Sequence, residues 1–120
     1  MGHLTPQKYR ELFKLRAEGK LDDMECTKSL FKIMKPLFKP GMTVLDVPAG
    51  AGHYYRKIRE LGKMDFYGVD LDAQVIGMAK EVWVKDSHAQ FSVQSVSKLD
   101  FKDNFFDITY CYNLLLHLND

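Results

Sequence analysis

Residues 43–52, Thr43-Val44-Leu45-Asp46-Val47-Pro48-Ala49-Gly50-Ala51-Gly52, constrain the chain more than any other segment. A short apolar strand runs into an acid and then into small residues. Pro48 lacks an N–H, so it cannot extend the strand into a regular ladder, and it favours extended backbone at Val47. Ala49, Gly50 and Gly52 allow a narrow turn, and a helix starts at His53. Asp70 follows Gly50 at the distance of one helix plus one strand. Strand, small-residue turn, helix and second strand ending in an acid is a unit with a recognisable use. It presents backbone N–H groups to a nucleotide-like ligand and offers a carboxylate to both hydroxyls of a ribose.

The 120 residues suffice for one compact domain with its own core. A formal net charge of +1 gives no general attraction to nucleic acid or membranes. Lys28, Lys32, Lys35 and Lys39 gather at helical spacing, as a solvated helix face does. Cys26 and Cys111 stand far apart without a Cys-x-x-Cys pair, the pattern of reduced thiols in a cytoplasmic protein. His3, His53, His88 and His117 are scattered, so no metal-ligand spacing appears. No apolar run is long enough to span a bilayer, and the N-terminus lacks a signal-peptide core.

Along the chain, Thr5-Pro6 opens a first helix with Tyr9, Leu12, Phe13 and Arg16 at helical spacing, and Gly19 closes it. Asp22, with Glu25 three residues on, predicts the start of a second helix whose apolar stripe is Leu30, Ile33, Met34 and Leu37. Pro36 and Pro40-Gly41 end it. From Met42 strands and helices alternate: strand through Val44, Leu45 and Val47; helix 53–61 closed by Gly62; strand 66–70. Asp72 then caps a helix with stripe Val75, Met78, Ala79 and Val82. Strands follow at 91–94 and 106–111, and a helix is expected from Leu114. Such alternation implies right-handed crossovers and a parallel sheet.

On these residues the chain resembles the class I S-adenosylmethionine-dependent methyltransferases. The resemblance runs from about Met42 to the C-terminus and rests on four elements in the right order. It implies a Rossmann-like α/β fold with strand order 3-2-1-4 and helices on both faces. Residues 1–41 would be an N-terminal helical cap, and residues 42–120 the S-adenosylmethionine-binding domain. In this family Asp46 orients the amino group of the ligand, directly or through water, and Pro48, Ala49, Gly50 and Gly52 form the narrow turn. Pro48 replaces the usual first glycine, a familiar variant that removes one backbone donor from the methionine end. Asp70 would hold the ribose, and Leu71 would pack on adenine. Ser95 stands where an acid often holds the adenine amino group. It can accept one hydrogen bond, although an ordinary polar turn accounts for it equally well. Val96 would offer its N–H to the ring.

The segment 104–118 resembles the family's aromatic-Asp, apolar strand and Leu- and His-bearing helix. Cys111 would bring its backbone near the methionine part, and Tyr112 and Asn113 would face the methyl group or the acceptor. His117 is read as structural. No Asn-Pro-Pro-Tyr or Asp-Pro-Pro-Tyr follows the fourth strand, which argues against methylation of nucleic-acid bases. A sulfonium donor is already activated, so alignment in a dry site supplies much of the rate, and no acid–base dyad is required.

The resemblance implies methyl transfer to a small-molecule acceptor, or the donor-binding half of such an enzyme. Two other readings stand beside it. A non-catalytic binding or interaction module could keep the same fold. A nicotinamide-dependent oxidoreductase would need Gly-x-Gly-x-x-Gly, but Tyr55 occupies the third glycine's place after Gly50 and Gly52. The family fold has seven strands and four are present, so the expectation is a truncated chain; a natural minimal domain completed by a partner is the alternative. Its fourth strand would then be an open edge inviting self-association, with little or no turnover by the 120 residues alone.

Overall fold

The computed structural model describes residues 5–111. Strands β1 (Thr43–Asp46), β2 (Asp65–Asp70), β3 (Ala89–Val93) and β4 (Ile108–Tyr110) form one sheet in the order β3-β2-β1-β4, with every neighbouring pair parallel. The parallel pairing is the one expected from the alternation after Met42, and the order is the one the resemblance implies. The helices are α1 (Pro6–Ala17), α2 (Glu25–Met34), α3 (His53–Ile58) and α4 (Ala73–Val82), and single 3-10 turns at Lys35–Leu37 and Arg59–Leu61 extend α2 and α3.

Side chains alternate across the sheet, and the two faces have different covers. On one face Val44, Phe66 and Phe91 meet Met34 of α2, Tyr54, Tyr55 and Ile58 of α3, and Ile76 and Ala79 of α4. Met34 and Phe38 thus share a core with β1. Each large apolar side chain buried there contributes roughly 1.5–3 kcal/mol. On the other face Leu45, Val47 and Val69 are covered by Tyr67, Leu99, Phe101, Phe106 and Cys111. Among the described residues all the helix side chains in these two cores lie on the first face. The helix expected from Leu114 lies outside the described residues.

Local chemistry explains most boundaries. The Thr5 hydroxyl accepts from the Lys8 N–H, and Pro6 fills the first position of α1. The helix closes when Gly19, at φ +77°, lets Gly19 N–H donate to Arg16 O and Lys20 N–H to Leu15 O. Asp72 caps α4 by accepting from the Gln74 and Val75 N–H groups. Ile76 joins Val75 and Ala79 as the buried side of that helix.

The second helix departs from expectation. It starts at Glu25, with Met24 rather than Asp22 at the N-cap. The Asp22 carboxylate is taken by the Asp23 N–H and by Lys28 Nζ at 2.7 Å, so it cannot serve a helix end. Ile33 and Leu37 are 74% and 59% exposed. Met34 is buried and Leu30 packs against the core as expected, and Thr27 and Phe38 join that side in place of Ile33 and Leu37. The tighter winding at Lys35–Leu37 turns Leu37 outward and Phe38 in.

Candidate functional site

The chain leaves β1 toward β2 on one side and reaches β4 from β3 on the other. The carboxyl ends of β1 and β4 are therefore the switch point at which the connections diverge, the place where open α/β sheets bind their ligands. Asp46, Pro48, Ala49, Gly50 and Gly52 lie at the carboxyl end of β1 or in the turn that leaves it, Asp70 and Leu71 at that of the neighbouring β2, and Cys111 at that of β4.

The turn after β1 is tightly wired. Val47 N–H donates to Tyr110 O at 3.1 Å, Ala49 N–H to Val69 O at 2.9 Å, and Gly52 N–H to Ala49 O at 3.2 Å. The two glycines answer different demands. Gly50 has φ +58°, and a Cβ there would meet nothing closer than the His53 ring at 3.8 Å. Gly52 has φ +96°, and a Cβ there would also collide with Trp83 Nε1 and lie 3.0 Å from Phe91. Trp83 cannot easily yield, because its Nε1–H donates to Ala51 O at 3.0 Å in the buried core.

Asp70 ties two turns together. Its Oδ2 accepts from the Gly50 N–H and its Oδ1 from the Asp72 N–H, each at 3.0 Å. A carboxylate has about four acceptor positions, so roughly one on each oxygen remains for a diol. Asp72 in turn accepts from Arg10 Nε at 2.9 Å, which brings α1 to the rim. Partial burial raises the Asp72 carboxyl, but the Arg10 bond and the α4 amides outweigh it and hold the group below its ordinary value.

Asp46 has the opposite surroundings. It is 2% exposed, and its Oδ2 has no hydrogen-bond partner among the described residues. Burial pushes its pKa well above the ordinary carboxylate value; the Tyr110 hydroxyl opposes the rise and the Asp70 charge adds to it. Tyr110 is the β4 residue paired with Asp46 in register, and its hydroxyl is also buried without a partner of normal hydrogen-bond geometry. Its ring is held edge-on by Phe38 and Tyr54, with centroids at 6.3 and 5.5 Å. Burial, and then the Asp46 charge, push its pKa well up. His53 Nδ1 is a third buried atom with no partner. Burial holds the His53 pKa below normal; Asp23 opposes that, while Arg16 and Lys57 add to it.

Leu71, directly after Asp70, is 70% exposed, and Val93 and Val96 add apolar surface beyond β3. Ser95 and Val96 sit in a small turn closed by Lys98 N–H to Ser95 O at 3.0 Å. The Ser95 hydroxyl is engaged with Ser97 Oγ at 2.8 Å within that turn. Cys111 is half-buried and packs toward Leu45, Val47 and Val69. Tyr112, Asn113 and His117 lie outside the described residues. Sequence reasoning passed over Tyr110 and Trp83 at this site; only the β1–β4 register and the Gly52 approach reveal them. Among the described residues no helix is long and apolar enough to cross a membrane, and no group of three or more His, Cys, Asp or Glu could hold a metal ion.

Comparison with known proteins bears on this geometry. Residues 44–120 match a family described as methyltransferase domain. Phosphoethanolamine N-methyltransferase 3 of Arabidopsis thaliana is 33% identical over 99 residues, covering 81% of this chain and 20% of that protein. Phosphoethanolamine N-methyltransferase 2 of Caenorhabditis elegans is 31% identical over 85 residues, 69% of this chain and 20% of that protein. The chain thus spans about a fifth of the length of these curated relatives. Among solved structures, a TehB-like SAM-dependent methyltransferase from Corynebacterium glutamicum aligns over 90% of this chain and 55% of its own, with TM-score 0.64 at 21% identity. A phosphoethanolamine N-methyltransferase 2 from Haemonchus contortus, in complex with S-adenosyl-L-methionine, aligns over 68% of this chain and 20% of its own, with TM-score 0.58 at 24% identity. These two share the fold.

Proposed function

The chain belongs to the methyltransferase domain family, and from that premise we propose that it binds S-adenosylmethionine and serves methyl transfer to a small-molecule acceptor. The observation that carries this reading is the Asp70 carboxylate. It is fixed by the Gly50 and Asp72 amides at the end of β2, with acceptor capacity left on both oxygens. That arrangement suits a ribose diol beside a glycine turn.

The remaining residues fit the parts of such a ligand. The ligand supplies a methyl group already activated on a sulfonium. Ala49, Gly50 and Gly52 let the ligand approach the backbone, and Pro48 narrows the entry to that turn. Asp46, with an orphaned buried oxygen, receives the amino group directly or through water. Leu71 offers an exposed apolar face to adenine, and Ser95 and Val96 contact the ring edge. Cys111 lends its backbone to the methionine portion. Residues 1–41 act as a helical cap on the donor-binding domain 42–120, in keeping with the Arg10–Asp72 bond at the rim.

Three finer points belong to the same reading. The acceptor is a small molecule rather than nucleic acid, and phosphoethanolamine, named for the relatives, heads the test panel. The outer edge of β4, unpaired among the described residues, supports self-association. Cys26 and Cys111 are free thiols, in keeping with a cytoplasmic location.

The test is calorimetric titration with S-adenosylmethionine, S-adenosylhomocysteine and NAD, followed by a methyl-transfer assay on an acceptor panel. Binding of the first two with loss in Asp70→Ala supports the reading. Tighter binding of NAD, or equal affinity in the variant, overturns it.

A further inference from the structure

Asp46 and Tyr110 form a buried acid–phenol pair at the carboxyl ends of β1 and β4. They are partners in the β1–β4 register, and the Val47 N–H to Tyr110 O bond locks the two strand ends together. Asp46 Oδ2 and the Tyr110 hydroxyl are both buried, and neither has a partner of normal geometry. A native fold rarely leaves two facing polar groups unused. The ionisable groups acting on Asp46 are Tyr110 on β4 and Asp70 at the end of β2; Tyr54 of α3 lies against Tyr110, and His53 against Tyr54. None of these is a fixed cation. His53 is disfavoured as one by its own burial. The first positive charge to reach Asp46 therefore comes from outside this set.

We infer that donor binding is coupled to release of one proton from Asp46, and that Tyr110 is the positioning residue that sets the pH at which this happens. In the ligand-free protein the Asp46 carboxyl keeps its proton over a range above that of an ordinary carboxylate. When the cationic amino group of the donor arrives, the Asp46 O–H bond breaks and the proton goes to solvent. The carboxylate left behind pairs with the ammonium. The Tyr110 hydroxyl, confined by Phe38 and Tyr54, stabilises the carboxylate form and so moves the transition toward lower pH. The inference rests on the donor-site reading above.

Titration of the 120-residue protein with S-adenosylmethionine between about pH 5 and pH 9, in buffers of different ionisation enthalpy, counts the protons released. The wild type should release close to one proton at the acid end and progressively fewer toward neutral pH, with affinity rising up to tenfold per pH unit over that range; above about pH 8 the donor's own amine takes up a proton to bind as the ammonium. Tyr110→Phe keeps the ring contacts and should shift the transition to higher pH, leaving alkaline affinity within about threefold of wild type. Asp46→Asn should bind more weakly with no pH dependence from this site. Carbon NMR of the ligand-free wild type should show one carboxyl titrating above the others, lost in Asp46→Asn. Binding without proton release, or Tyr110→Phe with an unshifted profile, overturns the inference and leaves the donor site standing. No S-adenosylmethionine binding at any pH removes the donor-site reading and the inference with it.

Discussion

The ends of β1 and β2 each carry an aspartate, and the fold treats the two in opposite ways. Asp70 accepts two backbone N–H bonds and joins the turn after β1 to the turn after β2. Asp46, on the next strand, is almost fully buried with an oxygen that nothing among the described residues satisfies. Asp70 holds two turns together. Asp46 works against the ligand-free structure, because an ionised carboxylate in that environment is disfavoured. Identical side chains one strand apart thus meet opposite surroundings: one is satisfied by backbone amides, and the other is buried with an oxygen to spare.

The harshest way to break this contrast is to disturb the turn that both acids frame. Gly52→Ala combines a left-handed backbone with a collision against Trp83, and should destabilise the protein by about 2–5 kcal/mol in urea unfolding. An unchanged midpoint would mean that the turn is too soft to frame anything. Asp70→Ala comes next. It should weaken S-adenosylmethionine binding by about 2–4 kcal/mol in calorimetry and also lower the melting temperature, because two amides lose their acceptor.

Asp46→Asn should move stability the other way, raising that of the ligand-free protein by about 1–2 kcal/mol at neutral pH while weakening binding. The sign follows from the direction of its shift. A carboxyl whose native pKa is raised stabilises the fold below the unfolded-state value, and that contribution is lost as pH rises through the native pKa. The gain in Asp46→Asn should therefore grow from acid toward neutral pH and then level off, which melting curves across pH would follow. Leu71→Ala is the mildest. It should reduce donor affinity by about 1 kcal/mol with no change in melting temperature, since the side chain already faces solvent.

The division between the two acids was only half legible in the sequence. Asp46 and Asp70 stand out by their spacing from the glycine turn, and Asp72 stands out as a helix cap, because these are local patterns. The fate of each carboxylate depends on residues far away in the chain. Asp46 faces Tyr110, 64 positions on, and only the pairing of β1 with β4 brings them together. The same limit explains α2. A capping pattern at Asp22 and Glu25 was present, but Lys28 claimed the Asp22 carboxylate and the helix began at Glu25. Ile33 and Leu37 fitted an apolar stripe, yet the 3-10 turn at Lys35–Leu37 changed the winding just where the stripe had to reach the core. The parallel direction of the strands was readable because chain alternation fixes it almost without tertiary detail, whereas their order followed from the family resemblance.

The meagre anchoring of α1 has a consequence in time. Only Ala17 of that helix is buried, and its side-chain ties include the Arg10–Asp72 bond and the Lys14–Glu81 pair, both to α4, and the Arg16 Nε bond to Asp22 O in the following loop. Arg10 and Asp72 are 62 residues apart, so the loop between them closes only after α3, β2 and the start of α4 have formed. Helix α1 is thus expected to dock late and to let go early. Its amides should exchange with solvent through local opening at a free energy well below that of global unfolding, while the Gly50 and Asp72 amides held by Asp70 remain protected.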